Sequence, residues 1–127
     1  MEDKMKRHGA VSWSELVTSD VAAAKSFYGK LFNWTFEDAP MEGMAYAMVK
    51  VNGEEIGGMM PISDEAKGMH PAWGLYITVD DVDATAEQAT GLGAKIYMPP
   101  SDIPEVGRFC VLQDPQGAYI SIISYAN

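Results

Sequence analysis

The stretch Trp13-Ser-Glu-Leu-Val-Thr-Ser-Asp20 decides the reading of the fold, because its pattern returns about half a chain later as Trp73-Gly-Leu-Tyr-Ile-Thr-Val-Asp-Asp81. Each copy reads as a strand that runs into an Asp. A carboxylate there can accept from the free N–H groups of a first helical turn, so Asp20 and Asp81 are N-cap candidates. After Asp20, apolar residues fall at Val21, Ala24, Phe27, Tyr28, Leu31 and Phe32, which is helical spacing. The helix is expected to stop near Asn33. After Asp81, the inward positions are Val82, Ala86, Ala89 and Leu92, with Gly91 and Gly93 closing the helix.

Strands follow each helix. Trp34 to Glu37, Met44 to Val51 and Glu55 to Met60 complete the first half, with Asn52-Gly53 as a hairpin turn tolerant of positive φ. Pro40 and Gly43 mark a loop, and Ile62 to Pro71 a connector containing Asp64 and Gly68. Ala94 to Met98, Gly107 to Gln113 and Ala118 to Tyr125 complete the second half. Pro99 to Pro104 reads as an extended loop, and Asp114-Pro-Gln-Gly117 as a tight turn. The polar, aperiodic residues 1 to 9 read as a loose lead-in, with His8 solvated. The fold class is therefore α+β: one domain over residues 1–127, built of two βαβββ modules at 10–61 and 72–126.

Composition narrows the function. With 127 residues, 47% of them hydrophobic, the chain is one domain with a real core. Its net charge of −9 repels phosphate backbones and anionic lipid, which argues against nucleic acid and membrane partners. No apolar run approaches the ~18 residues of a membrane span. The start of the chain lacks the hydrophobic core of a signal peptide. The single cysteine, Cys110, sits in the apolar run Phe109-Cys-Val-Leu112. A buried, unreactive thiol and a cytoplasmic location are expected. There is no Gly-x-Ser-x-Gly, no Cys/His pairing and no phosphate loop, so nucleophilic catalysis has no support.

Four stretches in combination, Trp13 to Asp20, Phe27-Tyr-Gly-Lys-Leu-Phe-Asn-Trp34, Asp80-Asp-Val-Asp83 and Val106-Gly-Arg-Phe-Cys-Val-Leu-Gln-Asp-Pro-Gln-Gly-Ala118, resemble the vicinal oxygen chelate superfamily, the glyoxalase, bleomycin-resistance and extradiol-dioxygenase group. The resemblance covers nearly all of the chain after residue 10. It implies βαβββ modules whose curved mixed sheets enclose a cleft, and a homodimer. Metal-dependent members place His, Gln or Glu at up to four strand positions. Carried over by spacing, those positions are Trp13, Gly57, Gly74 and Ser121. None of these side chains is a metal ligand of the kind a divalent ion needs. No metal and no cofactor is therefore expected.

The face of each strand that carries those positions is the expected cleft side. It offers Trp13, Glu15 and Val17 from the first strand, Tyr76 and Thr78 from the fifth, and Tyr119, Ser121 and Ile123 from the last; Tyr46 and Met48 from the third are further ligand-binding candidates. Arg108 is the strong cation near the second module's hairpin, placed to orient an anion or to bridge to Asp114. Glu15 stands out, since a carboxylate between Trp and Leu on a strand is rarely buried without a partner. It is the candidate catalytic base. The structural alternative pairs it with Arg108 or with backbone N–H groups. Nine methionines, including Met41, Met44, Met48, Met59, Met60 and Met69, suit either adaptable core filling or an adaptable pocket. Such a pocket is aromatic and apolar with one acid, and suits a flat, amphipathic or cationic organic ligand.

Three readings follow. The chain binds or sequesters a small organic molecule without a metal, or acts on it through Glu15 in an isomerase or lyase step. It is a metal-dependent lyase of the lactoylglutathione lyase kind, or a dioxygenase. Or it is a ligand-sensing or partner-binding module without chemistry.

Overall fold

The computed structural model describes residues 3–39, 45–63 and 69–126. Pro40, Met41, Gly43 and Met44, and the connector positions Asp64 and Gly68, lie outside the described residues. Among the described residues the order is β1 (Val11–Thr18), α1 (Val21–Phe32), β2 (Thr35–Asp38), β3 (Ala47–Val51), β4 (Glu54–Pro61), β5 (Ala72–Thr78), α2 (Val82–Gly91), β6 (Lys95–Ile103), β7 (Gly107–Gln113) and β8 (Tyr119–Tyr125). This is the α+β class with βαβββ run twice. The chain gathers into two compact units, Ser14–Gly74 and Met1–Trp13 with Leu75–Asn127.

In the first unit the strand order is β2-β3-β4-β1. β1 and β4 are parallel, while β2, β3 and β4 are antiparallel neighbours. Asp20 caps α1 as its spacing predicts, accepting from the Ala23 N–H at 3.0 Å. Asn33 ends the helix in the left-handed conformation, φ 60°. Val21, Ala24 and Tyr28 pack with Trp34 and Phe36 on the buried Leu16, Ala47, Val49 and Met59. Leu16, Ala47, Val49 and Met59 thus mark the helix side of this sheet.

The helical stripe is narrower than its spacing suggests. Phe27, Leu31 and Phe32 are all more than half exposed. Phe27 lies roughly 100° around the helix from Tyr28 and meets it only edge-on. Phe32 stacks on Tyr28, which also contacts Trp34 and Trp73 and accepts from the Trp73 indole N–H at 3.1 Å.

One irregularity decides which side chains share a face. Val49 pairs with Gly57, but Lys50 pairs with Glu55. β4 therefore carries one extra residue, a β-bulge next to the Asn52-Gly53 turn. Counting from that turn assigns Gly57 to the face of Trp13 and Glu15. The register instead puts Gly57 opposite Ser14, on the helix side, and Gly58 opposite Glu15.

In the second unit the strand order is β5-β8-β7-β6, with β5 and β8 parallel and β6, β7 and β8 antiparallel. Asp81 caps α2 through the Ala84 N–H at 3.0 Å. Val79, Val82, Ala86, Cys110, Leu112 and Ile122 form the core. Burial pushes the Cys110 thiol pKa up, in keeping with an inert side chain. At the Asp114 turn, the Asp114 carboxylate accepts from the N–H groups of Gln116 and Ala118, both at 2.9 Å.

Two expectations change here. Pro99-Pro100 does not open a loop. It lies within β6, the end strand of the order, where the ladder with β7 is interrupted between Met98 and Ser101 and a missing N–H is tolerated. Register shifts on either side of Met98 absorb the irregularity. Nor is the lead-in loose. Asp3–Lys6 form a 3-10 turn. Gly9 N–H donates to Thr78 O at 2.7 Å, Thr78 N–H donates to Ala10 O at 2.8 Å, and His8 Nδ1 accepts from Asp80 N–H at 3.0 Å.

Removing the α1 cap should be felt globally. Asp20→Ala is expected to lower unfolding stability by ~1 kcal/mol, read as a lower denaturant midpoint with an unchanged m-value.

Candidate functional site

Alternation along β1 sends Leu16 into the core beneath α1 and Glu15 to the other face of the sheet. Glu15 is only 8% exposed. A carboxylate so covered needs a strong donor. Tyr46 supplies one: its hydroxyl donates to Glu15 Oε2 at 2.7 Å. Tyr46 is equally buried and lies just ahead of β3, where its carbonyl accepts from the Ala39 N–H at 2.9 Å. Arg108, the side-chain partner expected for Glu15, donates instead to Asp83 and Asp102. The phenol is thirty-one residues away in sequence.

Glycine flanks Glu15 on both neighbouring strands, with different consequences. A Cβ on Gly58 would stand 1.9 Å from Tyr46 Oη and 2.2 Å from Cζ. The phenol therefore occupies the space that Gly58 leaves. A Cβ on Gly74 would meet only the Glu15 carbonyl oxygen, at 3.9 Å. A small side chain there would make only an ordinary contact. Trp13 and Val17, two residues either side of Glu15 on the same face of β1, are half-buried, as is Met48, which pairs with Gly58. Gly58 is the residue that sequence counting missed, and the β4 bulge is why.

The unit that holds β5 to β8 distributes its candidates differently. Tyr76 and Ser121 are register partners on the face away from α2, both half-buried. Thr78 shares that face but is 3% exposed, and its hydroxyl donates to the Met5 carbonyl. Its hydrogen bond is spent on anchoring the N-terminal turn. Tyr119 is exposed and sits edge-on to Tyr97 at 5.3 Å.

Arg108 does not reach Asp114. It donates from Nε and Nη2 to Asp83 on α2, at 2.8 and 2.9 Å, and from Nη1 to Asp102 on β6 at 3.0 Å. Asp102 is its register partner, which is why that carboxylate wins over one at the far end of β7. The guanidinium is held between two acids, and its hydrogen bonds hold the Asp83 carboxyl below the usual Asp range.

The metal positions implied by the resemblance can now be set on the observed register. Trp13, Gly57, Gly74 and Ser121 are a set without an imidazole or carboxylate, and Gly57 lies on the helix side rather than on the face of Glu15. Among the described residues, no group of three or more His, Cys, Asp or Glu side chains comes together as an ion site. These residues do not fit a divalent ion.

Two outcomes test this geometry. Gly58→Ala should destabilise the protein by about 2 kcal/mol through overpacking, whereas Gly74→Ala should stay within about 0.5 kcal/mol of the parent, both by chemical denaturation. Arg108→Gln should move the Asp83 titration upward, towards the ordinary Asp range, as followed by NMR of its side-chain carboxyl. Because Asp83 is depressed in the folded state, its pairing with Arg108 adds stability above the ordinary Asp range, and that contribution fades as pH falls through the folded value.

Residues 10–122 match the family described as the glyoxalase/bleomycin resistance protein/dioxygenase superfamily. The putative glyoxylase CFP32 of Mycobacterium tuberculosis is 40% identical over 119 residues, which is 91% of this chain and 46% of that protein. The anthracycline biosynthesis protein DnrV of Streptomyces peucetius is 30% identical over 128 residues, 90% of this chain and 46% of that protein. The chain thus spans about half the length of these curated relatives. Among solved structures, methylmalonyl-CoA epimerase from Mycobacterium tuberculosis superposes with a TM-score of 0.62 at 18% identity, covering 92% of this chain and 90% of that one. The Streptomyces coelicolor epimerase reaches 0.66 at 18% identity, covering 95% and 100%. At that identity the likeness concerns the fold. The chain belongs to the glyoxalase/bleomycin resistance protein/dioxygenase superfamily and has its α+β fold of repeated βαβββ modules.

Proposed function

We propose that this protein binds a flat, cationic organic molecule on the Glu15 face of β1, without a metal, with the ligand's cationic group directed at the Glu15 carboxylate. The observation that carries this reading is a buried glutamate, held by the Tyr46 hydroxyl, on a strand face where the neighbouring Gly74 carries no side chain. A carboxylate kept out of water interacts with a cation far more strongly than one on the surface. The net charge of −9 draws cations towards the chain. The name of the relative DnrV, an anthracycline biosynthesis protein, supports the same class of ligand, since anthracyclines are fused-ring compounds.

The reading includes a homodimer as the working unit, consistent with curated relatives about twice as long as this chain. A cytoplasmic location goes with it, consistent with Cys110 as a buried free thiol.

The test is a fluorescence titration with two probes, an amine-bearing anthracycline and its uncharged aglycone. The parent protein should bind the amine about 10-fold more tightly, equivalent to about 1.4 kcal/mol. Glu15→Gln should remove that preference while leaving affinity for the aglycone. Equal binding of both probes by the parent, binding of neither, or an undiminished preference in Glu15→Gln would overturn the proposal.

A further inference from the structure

We propose that Tyr46 is a positioning residue for Glu15, and that Gly58 is the seat that makes this possible. The inference rests on the reading of Glu15 as the ligand's anionic contact and extends it to the residues that hold the carboxylate in place. Glutamate has three rotatable side-chain bonds, so a carboxylate left to itself samples many positions. Fixing one of them before the ligand arrives removes an ordering cost from binding. The Tyr46 hydroxyl, at 2.7 Å from Oε2 and itself buried, fixes one oxygen at a defined point above β1.

The placement of Tyr46 is in turn over-determined. Its backbone is tied to Ala39. Its ring fills the space beside the Gly58 Cα, where any Cβ would fall 2.4 Å or less from three of its atoms. A residue whose ring merely filled the core would not need a hydroxyl there. A residue that merely capped an acid would not need a glycine cut to its outline on the adjacent strand. The combination of a shaped seat and a directed donor points to a carboxylate held for use. The two glycines that flank Glu15 differ accordingly: a Cβ on Gly58 would collide with the Tyr46 ring, and one on Gly74 would meet only the Glu15 carbonyl oxygen.

The experiment is a double-mutant cycle with Glu15→Gln, Tyr46→Phe and the double variant, read with the amine-bearing anthracycline and its uncharged aglycone. Phe keeps the ring over Gly58 and removes only the hydroxyl, and near-UV circular dichroism verifies that the packing is intact. Tyr46→Phe is expected to cut the amine preference about fivefold while aglycone affinity stays within about twofold. The double variant is expected to match Glu15→Gln alone, because Tyr46 acts only through that carboxylate.

Three results would overturn the inference. One is an unchanged preference in Tyr46→Phe alongside a lost one in Glu15→Gln, which leaves the binding reading standing. Another is equal weakening of both probes by Tyr46→Phe, the mark of packing alone. The third is a double variant weaker than Glu15→Gln, the mark of a direct contact between Tyr46 and ligand. If Glu15→Gln itself keeps the preference, the binding reading fails and this inference falls with it.

Discussion

The hydrogen bond from Tyr46 to Glu15 is the interaction on which the helix-free face of the first unit depends. Burying a carboxylate without a donor costs several kcal/mol, so a strand that turns Glu15 inward must bring a partner to it. The phenol does so from the segment before β3. Its ring then needs room on β4, and that need is met by a glycine placed opposite Glu15. The β4 bulge puts that glycine, rather than its neighbour, on the correct face. One polar contact thus links β1, β3 and β4 through a donor, a register and a missing side chain.

The two units solve the same packing problem with different residues. Each places a parallel pair, β1 with β4 or β5 with β8, next to an antiparallel run, and lays one helix across one face. Each helix begins at an Asp that accepts from the N–H three residues on. The cores differ in character. The first leans on aromatics around Tyr28, Trp34 and Trp73, which leaves ring faces exposed along α1. The second is small and aliphatic, with Cys110 fully covered. The face away from the helix is where each unit departs from pure packing: Glu15 and Tyr46 in one, Tyr76 and Ser121 in the other.

Membership of the superfamily fixes the fold and leaves the chemistry to the side chains on that face. At the strand positions that the resemblance assigns to metal ligands, this chain has Trp13, Gly57, Gly74 and Ser121. None of these side chains offers a divalent ion an imidazole or a carboxylate. On the same face of the first unit lies a carboxylate that accepts from a phenol, Glu15 and Tyr46.

The sequence by itself determined what is local. Asp20 and Asp81 cap helices because a side chain three residues before an N–H can reach it without help from the rest of the fold. Asn52-Gly53 turns the chain with φ of 51° and 81°, as those residue types allow. The periods of two and 3.6 separate strands from helices, and the order βαβββ, twice, follows from them. The oddity of Glu15 on an apolar strand was legible too. Only the tertiary structure decided its partner, because Tyr46 reaches it across a strand register that a one-residue bulge shifts, and nothing local marks that bulge. The same holds for Arg108, claimed by Asp83 and Asp102 through packing of α2 and β6, and for Pro99-Pro100, tolerated because β6 has a free edge within its unit. Thr78 looked available on its strand and is instead spent on Met5, a contact 73 residues away in sequence. Side-chain direction is written in the period of the chain; which groups meet depends on register and on which edge is left uncovered, and those are set between strands.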